Sequence, residues 1–315
     1  MQSQLPTKLQ RRTAKLVEHL RTVKLDGEDV YRGSSLNLGW GRVYGGQTLA
    51  QAMDVCLQST KDRLVQSLNA YFVKPGNVEL PIDYHVTKLS DGKSLSMRTV
   101  TASQKGQIIF TMTASLGDDQ SSSQQIYHQQ SQAPQTITSA PLVPTLQERL
   151  EPHSDRMKNY ELRRTYVNEG NPFDFRPVHF FPMWLAPKAN QLKPQLSTYI
   201  AMPALSQVYP QEESLHTAGL HAKLFAYASD FNFLATALRP HPIANWSPKL
   251  QMATISHSLI FHRPADTRLD KDFLLYAKSS PIARAGRAFV LGEVFDNQGR
   301  LLLSASQEGI LRFRR

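Results

Sequence analysis

Apolar and polar positions fall into two runs of the same order. In the first, Gly45-Gly46-Gln47 opens a helix predicted over residues 45–58, followed by an apolar strand from Ser67 that ends at Pro75. Alternation then predicts strands near 79–89, 94–103 and 107–116, separated by Asp91-Gly92 and Lys105-Gly106, pairs that suit tight hairpin turns. In the second run, a helix predicted over 215–238 precedes a strand from Thr254 to Pro264. Strands near 273–279, 287–296 and 300–312 follow, the last pair joined by Asn297-Gln298-Gly299.

The runs superpose. Phe72 and Pro75 recur as Phe261 and Pro264, each 189 residues later, and Gly106 recurs as Gly299 after 193. A helix followed by an antiparallel sheet, occurring twice, predicts an α+β protein in which each sheet wraps its own helix. Between the runs, residues 117–144 hold Asp118-Asp119, Ser121-Ser122-Ser123, many Gln and three Pro, the composition of a surface linker. The expected organisation is an N-terminal repeat over 1–118, a polar linker over 119–157 and a C-terminal repeat over 158–315 that carries the chemistry.

Three residues of the second run stand out against their patterns. Leu220, Leu224, Tyr227, Phe231 and Leu234 form a core-facing helical stripe, and Asp230 lies at its edge with only Ala226, Tyr227, Phe233 and Leu234 as helical neighbours. A carboxylate so placed is desolvated, which raises its pKa and suits a general base. The other reading is a helix that breaks at Ser229-Asp230, with Asp230 capping the next segment. On the last strand, alternation puts Gln307 on the face of Leu301, Leu303 and Ala305, an amide on an apolar surface. Thr254 starts a strand whose alternation places Ser256 and Ser258 on its face. A carboxylate, a hydroxyl and an amide are the groups that hold and deprotonate one water.

Composition narrows the classes without choosing among them. A chain of 315 residues with 41% hydrophobic and 20% charged residues buries a core, which excludes a disordered or fibrous protein. No run approaches the roughly eighteen apolar residues of a membrane-spanning helix. The single Cys56 excludes an intrachain disulfide and a Cys-rich zinc site, and with no signal sequence the expected location is cytoplasmic. A net charge of +10 draws anions, yet the basic residues are scattered and lack a nucleic-acid-binding pattern, so no nucleic acid partner is expected. His257 and His262, five apart on a strand, face opposite ways and make no metal site. Phosphate-loop, dinucleotide, nucleophile-elbow and zinc-helix motifs are all absent.

The same segments resemble the acyl-CoA thioesterase II family of double-hotdog enzymes. In the first run the resemblance rests on Gly41-Arg42-Val43-Tyr44-Gly45-Gly46-Gln47, on residues 71–76 (Tyr-Phe-Val-Lys-Pro-Gly) and on residues 89–98. In the second it rests on residues 227–234 (Tyr-Ala-Ser-Asp-Phe-Asn-Phe-Leu), 253–258 (Ala-Thr-Ile-Ser-His-Ser), 261–264 (Phe-His-Arg-Pro) and 307–309 (Gln-Glu-Gly). It implies a pseudo-dimer of two hotdogs in one chain, assembled as a homo-oligomer. It also implies hydrolysis of medium- to long-chain fatty acyl-CoA to fatty acid and CoA, by a water that Asp230, Thr254 and Gln307 position. Ser256 departs from the Asp that relatives often carry there.

On that basis the partners are acyl-CoA and CoA, with no metal, no bound cofactor and no integral membrane association. Arg263, Arg284 and Arg287 are candidates for the CoA phosphates. The competing readings are a hotdog hydratase or dehydratase, which needs a His paired with an acid, and a non-catalytic acyl-CoA-binding module. The repeat offsets carry Thr254 onto Val65 and Gln307 onto Ala114, neither able to hold a water, so one catalytic site per chain is expected.

Overall fold

Each run folds into a helix and an antiparallel sheet in the computed structural model, which describes residues 6–26, 29–39, 41–118, 127–134, 139–153, 155, 171–209 and 215–313. The first half contains α1 (Lys8–His19), β1 (Val23–Lys24), β2 (Val30–Gly33), α2 (Gly45–Gln58), β3 (Leu64–Phe72), β4 (Ile82–Asp91), β5 (Leu95–Gln104) and β6 (Gln107–Gly117). The second contains α3 (Leu146–Leu150), β7 (Asp174–Pro177), β8 (Gln195–Ala201), α4 (Leu205–Val208), α5 (Leu215–Ser229) and a 3₁₀ turn at Leu234–Leu238. It ends with β9 (Leu250–Phe261), β10 (Leu274–Arg284), β11 (Arg287–Phe295) and β12 (Leu301–Phe313). Within the proposed linker, 119–126, 135–138, 154 and 156–157 lie outside the described residues. Ala140, Val143 and Leu150 are buried there, so this part packs against the protein.

The two sheets do not stay separate. β3 pairs with β9 from Ser67 opposite Ile260 to Tyr71 opposite Ser256, giving one twelve-stranded antiparallel sheet in the order β1-β2-β4-β5-β6-β3-β9-β12-β11-β10-β8-β7. Left apart, β3 and β9 would each expose a row of unpaired N–H and C=O groups, and joining them satisfies both. Asn69 stands opposite Ser258, 189 positions later, and the Ser258 hydroxyl donates to Asn69 Oδ1 at 2.7 Å. The local two-fold of the repeat passes here.

The core lies where α2 and α5 pack together inside the curve of the sheet. Gly46 to Cys56 is buried on every side, as is Ala222–Ser229, so both helices are central. The buried ion pair between them is compensated. The Lys223 ammonium donates to Asp54 Oδ1 at 2.6 Å, while Asp54 Oδ2 accepts from the Thr22 N–H and hydroxyl and from Gln58 Nε2, each at 2.8 Å.

Three expectations are corrected. The helix predicted over 215–238 stops at Ser229, because Asn232 takes a left-handed φ of 52° and the chain resumes only as the 3₁₀ turn. Thr254 does not share a face with Ser256 and Ser258. Between Thr254, opposite Gly309, and Ser256, opposite Glu308, Ile255 is an extra residue, a β-bulge that turns Thr254 onto the inner face with His257. A second bulge, at Leu302, moves Leu301 out of phase, while Leu303, Ala305 and Gln307 do share the buried face. The first repeat carries the matching bulge at Gln66, between Val65 and Ser67, again 189 positions earlier.

Candidate active site

Asp230 follows directly on α5, and its carboxylate reaches the start of α2. The N-cap of α2, Tyr44, makes no side-chain cap, and Asp230 Oδ2 instead accepts the Gly46 N–H at 3.0 Å. Asp230 therefore caps a helix 184 residues away in the chain rather than the segment that follows it. The closeness requires glycine. A Cβ on Gly45 would lie 2.8 Å from Asp230 Oδ2, and one on Gly46 would lie 2.4 Å from the Tyr227 carbonyl oxygen.

The other two residues meet it across the β9–β12 ladder. Gln307 Nε2 donates to Asp230 Oδ1 at 2.6 Å and to Thr254 Oγ1 at 3.1 Å, and the Thr254 hydroxyl lies 3.5 Å from Asp230 Oδ1. That last contact is loose, so the hydroxyl proton is available to another acceptor. Gln307 Oε1 is buried and has no protein partner among the described residues, an acceptor to which one donor such as a water O–H would be well matched. Burial raises the Asp230 pKa, and the hydrogen bonds from Gln307, Gly46 and Thr254 only partly offset it.

A fourth residue, His257, entered the sequence reading only within a quoted motif and as half of a rejected metal pair. It is fully buried behind Gln307, opposite it in the ladder. The Ser229 hydroxyl donates to the Ala226 carbonyl at 2.8 Å, so His257 Nε2, 3.1 Å from Ser229 Oγ, is the protonated nitrogen. Nδ1 then accepts from Gln307 Nε2 at 3.1 Å, and since that amide has two N–H groups, one goes to Asp230 and the other is shared between His257 Nδ1 and Thr254 Oγ1. This chain aims the Gln307 amide, with its N–H side toward Asp230 and its oxygen free. Burial holds the His257 pKa down to about 3, so the ring is a neutral acceptor at working pH. Only the bulge at Ile255 puts His257 and Thr254 on one face, and simple alternation hides it.

The arginine candidates are not gathered at this cluster. Arg263 lies past the far end of β9, where it pairs with Asp266 at 3.7 Å and covers the Tyr127 ring. Arg284 and Arg287 face each other at the tip of the β10–β11 hairpin, and Arg287 pairs with Glu308, next to Gln307. Arg42 was quoted only as part of a motif. It lies close enough to pull the Asp230 pKa down, and its guanidinium donates to the Met252 carbonyl at 3.0 Å. In the first repeat the positions matching Thr254, His257 and Gln307 are Val65, Leu68 and Ala114, all buried and apolar.

Comparison with known proteins identifies the family. Residues 36–117 match the family model for the acyl-CoA thioesterase N-terminal domain, and residues 195–310 match the acyl-CoA thioesterase model. The chain is 31% identical over 308 residues to acyl-CoA thioesterase 2 of Haemophilus influenzae, covering 95% of this chain and 97% of that one. It is also 31% identical over 298 residues to human acyl-coenzyme A thioesterase 8, covering 90% and 85%. Among solved structures, an acyl-CoA thioesterase II from Mycobacterium marinum superposes with a TM-score of 0.69 at 26% identity, over 95% of this chain and 97% of that one. A hot dog fold protein from Alicyclobacillus acidocaldarius superposes with a TM-score of 0.70 at 15% identity, covering 96% and 99%, a likeness of fold alone. The chain thus has the double hotdog fold and belongs to the acyl-CoA thioesterase family.

Proposed function

We propose that this protein hydrolyses fatty acyl-CoA thioesters to free acid and CoA, with Asp230, Thr254 and Gln307 acting on one water. The observation that carries this reading is the convergence of the three side chains at the N-terminus of α2, where a desolvated carboxylate meets a loosely engaged hydroxyl and an unpartnered amide oxygen. The water donates one proton toward Asp230 and the other toward Gln307 Oε1. Its oxygen attacks the thioester carbonyl carbon as Asp230 takes the proton. The negative charge on the carbonyl oxygen faces the positive end of α2, where Gly45 is the first helical residue. Collapse breaks the C–S bond, and the thiolate leaves with the proton returned.

A hydratase or dehydratase would need a histidine that touches substrate. His257 lies 3.9 Å from Asp230 Oδ1, but it is fully enclosed behind Gln307 and reaches nothing in the cleft. For the CoA phosphates, Arg284 and Arg287 lie on the strand end nearer Thr254 and are better placed than Arg263. A cytoplasmic homo-oligomer completes the reading. The buried free thiol of Cys56 suits a reducing compartment, and sedimentation tests the assembly.

Thiol release from palmitoyl-CoA by purified protein without added metal tests the activity. Asp230→Asn should lower kcat about 10²-fold or more, because an amide cannot take the proton. Combining it with Thr254→Ala or Gln307→Ala should cost much less than the sum, since all three act on one water. Near-normal kcat in Asp230→Asn would remove the carboxylate from the role of base.

A further inference from the structure

Lys278, on β10, is 4% exposed. Its ammonium sits over the Tyr276 ring, 4.8 Å from the centroid, and its one hydrogen bond is to Thr198 Oγ1 at 3.5 Å. Three other buried or half-buried cations each meet a carboxylate. Lys223 has Asp54 at 2.6 Å, Arg98 has Asp91 at 2.6 Å, and the half-buried Arg176 has Asp174 at 2.8 Å. No carboxylate among the described residues pairs with Lys278. Burial and the neighbouring Arg239 guanidinium hold its amine down to about 7. Arg239 in turn is tied by Nε and Nη1 to the Lys193 and His179 carbonyls, at 3.2 and 3.1 Å, and among the described residues it too meets no carboxylate.

Both cations line one pocket whose wall is otherwise mostly apolar, with Phe175, Leu196, Ile200 and Leu238 among its residues. A guanidinium and an amine that burial leaves only partly charged are costly to hold as cations in such a wall, and a bound anion removes that cost and favours the charged amine. A largely apolar pocket with a few convergent polar groups is the usual form of a site for an amphipathic small ligand. The pocket is also lined by Phe231 and Asn232, the two residues after Asp230. Tyr276, whose ring carries the Lys278 ammonium, donates its hydroxyl to the Ser229 carbonyl at 3.4 Å. Pocket and candidate base are therefore neighbours.

We propose that this pocket binds the carboxylate end of an aliphatic chain, with Lys278 and Arg239 holding the anion and the apolar wall enclosing the methylenes. The carboxylate has two sources. One is the far end of an ω-carboxyacyl thioester whose reacting end lies at Asp230, a source that rests on the thioesterase reading. The other is the head of a free fatty acid, which does not need it. A plain acyl chain leaves both cations unpaired, whereas a carboxylate makes charge-assisted hydrogen bonds with them.

The test uses the wild-type chain, Lys278→Met and, as a second variant, Arg239→Met. One arm titrates decanoate and decanol calorimetrically. The other compares kcat/KM for ω-carboxyacyl-CoA and unsubstituted acyl-CoA of equal length, across a series of lengths. The expected result is a preference for the carboxylate in at least one arm, reduced about 10- to 100-fold by either substitution. Preference in hydrolysis assigns the anion to the substrate, and preference in binding alone assigns it to the free acid. If unsubstituted acyl-CoA is hydrolysed and neither arm shows a carboxylate preference, the proposal is overturned. Failure to hydrolyse either ester overturns the thioesterase reading, and the decanoate and decanol titrations then decide this one. A preference untouched by both substitutions also overturns it, and should one variant not fold the other decides.

Discussion

At the scale of single residues, the candidate site is a set of opposed protonation preferences. Asp230 must be ionised to act as a base, yet burial raises its pKa above the ordinary carboxylate value of about 4. Hence kcat/KM should fall as pH drops through a point displaced upward from about 4, and a profile measured from about pH 4 to 8 checks this. His257 contributes no inflection to that limb, because its pKa is held near about 3. Its part is to aim Gln307. His257→Phe keeps a ring beside Phe233 but removes the Nδ1 acceptor, so the Gln307 amide loses one of the contacts that fix its orientation and is held by Asp230 and Thr254 alone. The expected result is a loss of about tenfold or more in kcat with KM little changed and the acid limb displaced. A lower melting temperature with unaltered kcat and pH profile would leave His257 a core residue only.

At the scale of elements, one glycine lets two helices share a carboxylate. Gly46→Ala would set a Cβ 2.4 Å from the Tyr227 carbonyl oxygen and 2.6 Å from the Tyr44 ring, so α2 must retreat from α5. The Tyr44 hydroxyl, which donates to that same carbonyl at 2.9 Å, blocks an easy rotation. A cost of about 1–3 kcal/mol is expected for overpacking of this kind, read from the denaturant midpoint, with kcat falling as the Gly46 N–H leaves Asp230. The bulges are the other device. They occur at Gln66 and Ile255, 189 residues apart, so the register of the two repeats is the same, and only the residues displayed on it differ.

At the scale of the whole molecule, two hotdog repeats present matching strand positions, and the polar trio stands on the second. Val65, Leu68 and Ala114 stand where the other repeat has Thr254, His257 and Gln307, and none of the three side chains hydrogen-bonds to water. Calorimetric titration with a non-hydrolysable acyl-CoA analogue should give one reactive-centre site per chain. Two equivalent sites, or half the activity surviving Asp230→Asn, would show the first repeat to carry a site of its own. The first repeat then serves the second directly, since it supplies the helix start that Asp230 caps and the strand β3 that pairs with β9.

The sequence alone determined the repeat, the hairpins and the three residue types of the site, because these follow from local periodicity, turn chemistry and side-chain identity. Ordered matches to a family then assigned roles that periodicity left open at Asp230. Alternation specifies a face only while the register is unbroken. The extra residue at Ile255 reverses the phase that counting assigns to Thr254 and brings His257 in beside it. Helical periodicity likewise runs on past Ser229, where the left-handed turn at Asn232 ends the helix. Partners were the remaining matter that only tertiary structure decided. Asp230 finds its donor 184 residues away, Lys223 finds Asp54 across the helix pair, and Lys278 finds no acid among the described residues. Those pairings depend on which surfaces packing brings together, a property of the folded molecule that no local stretch of sequence carries.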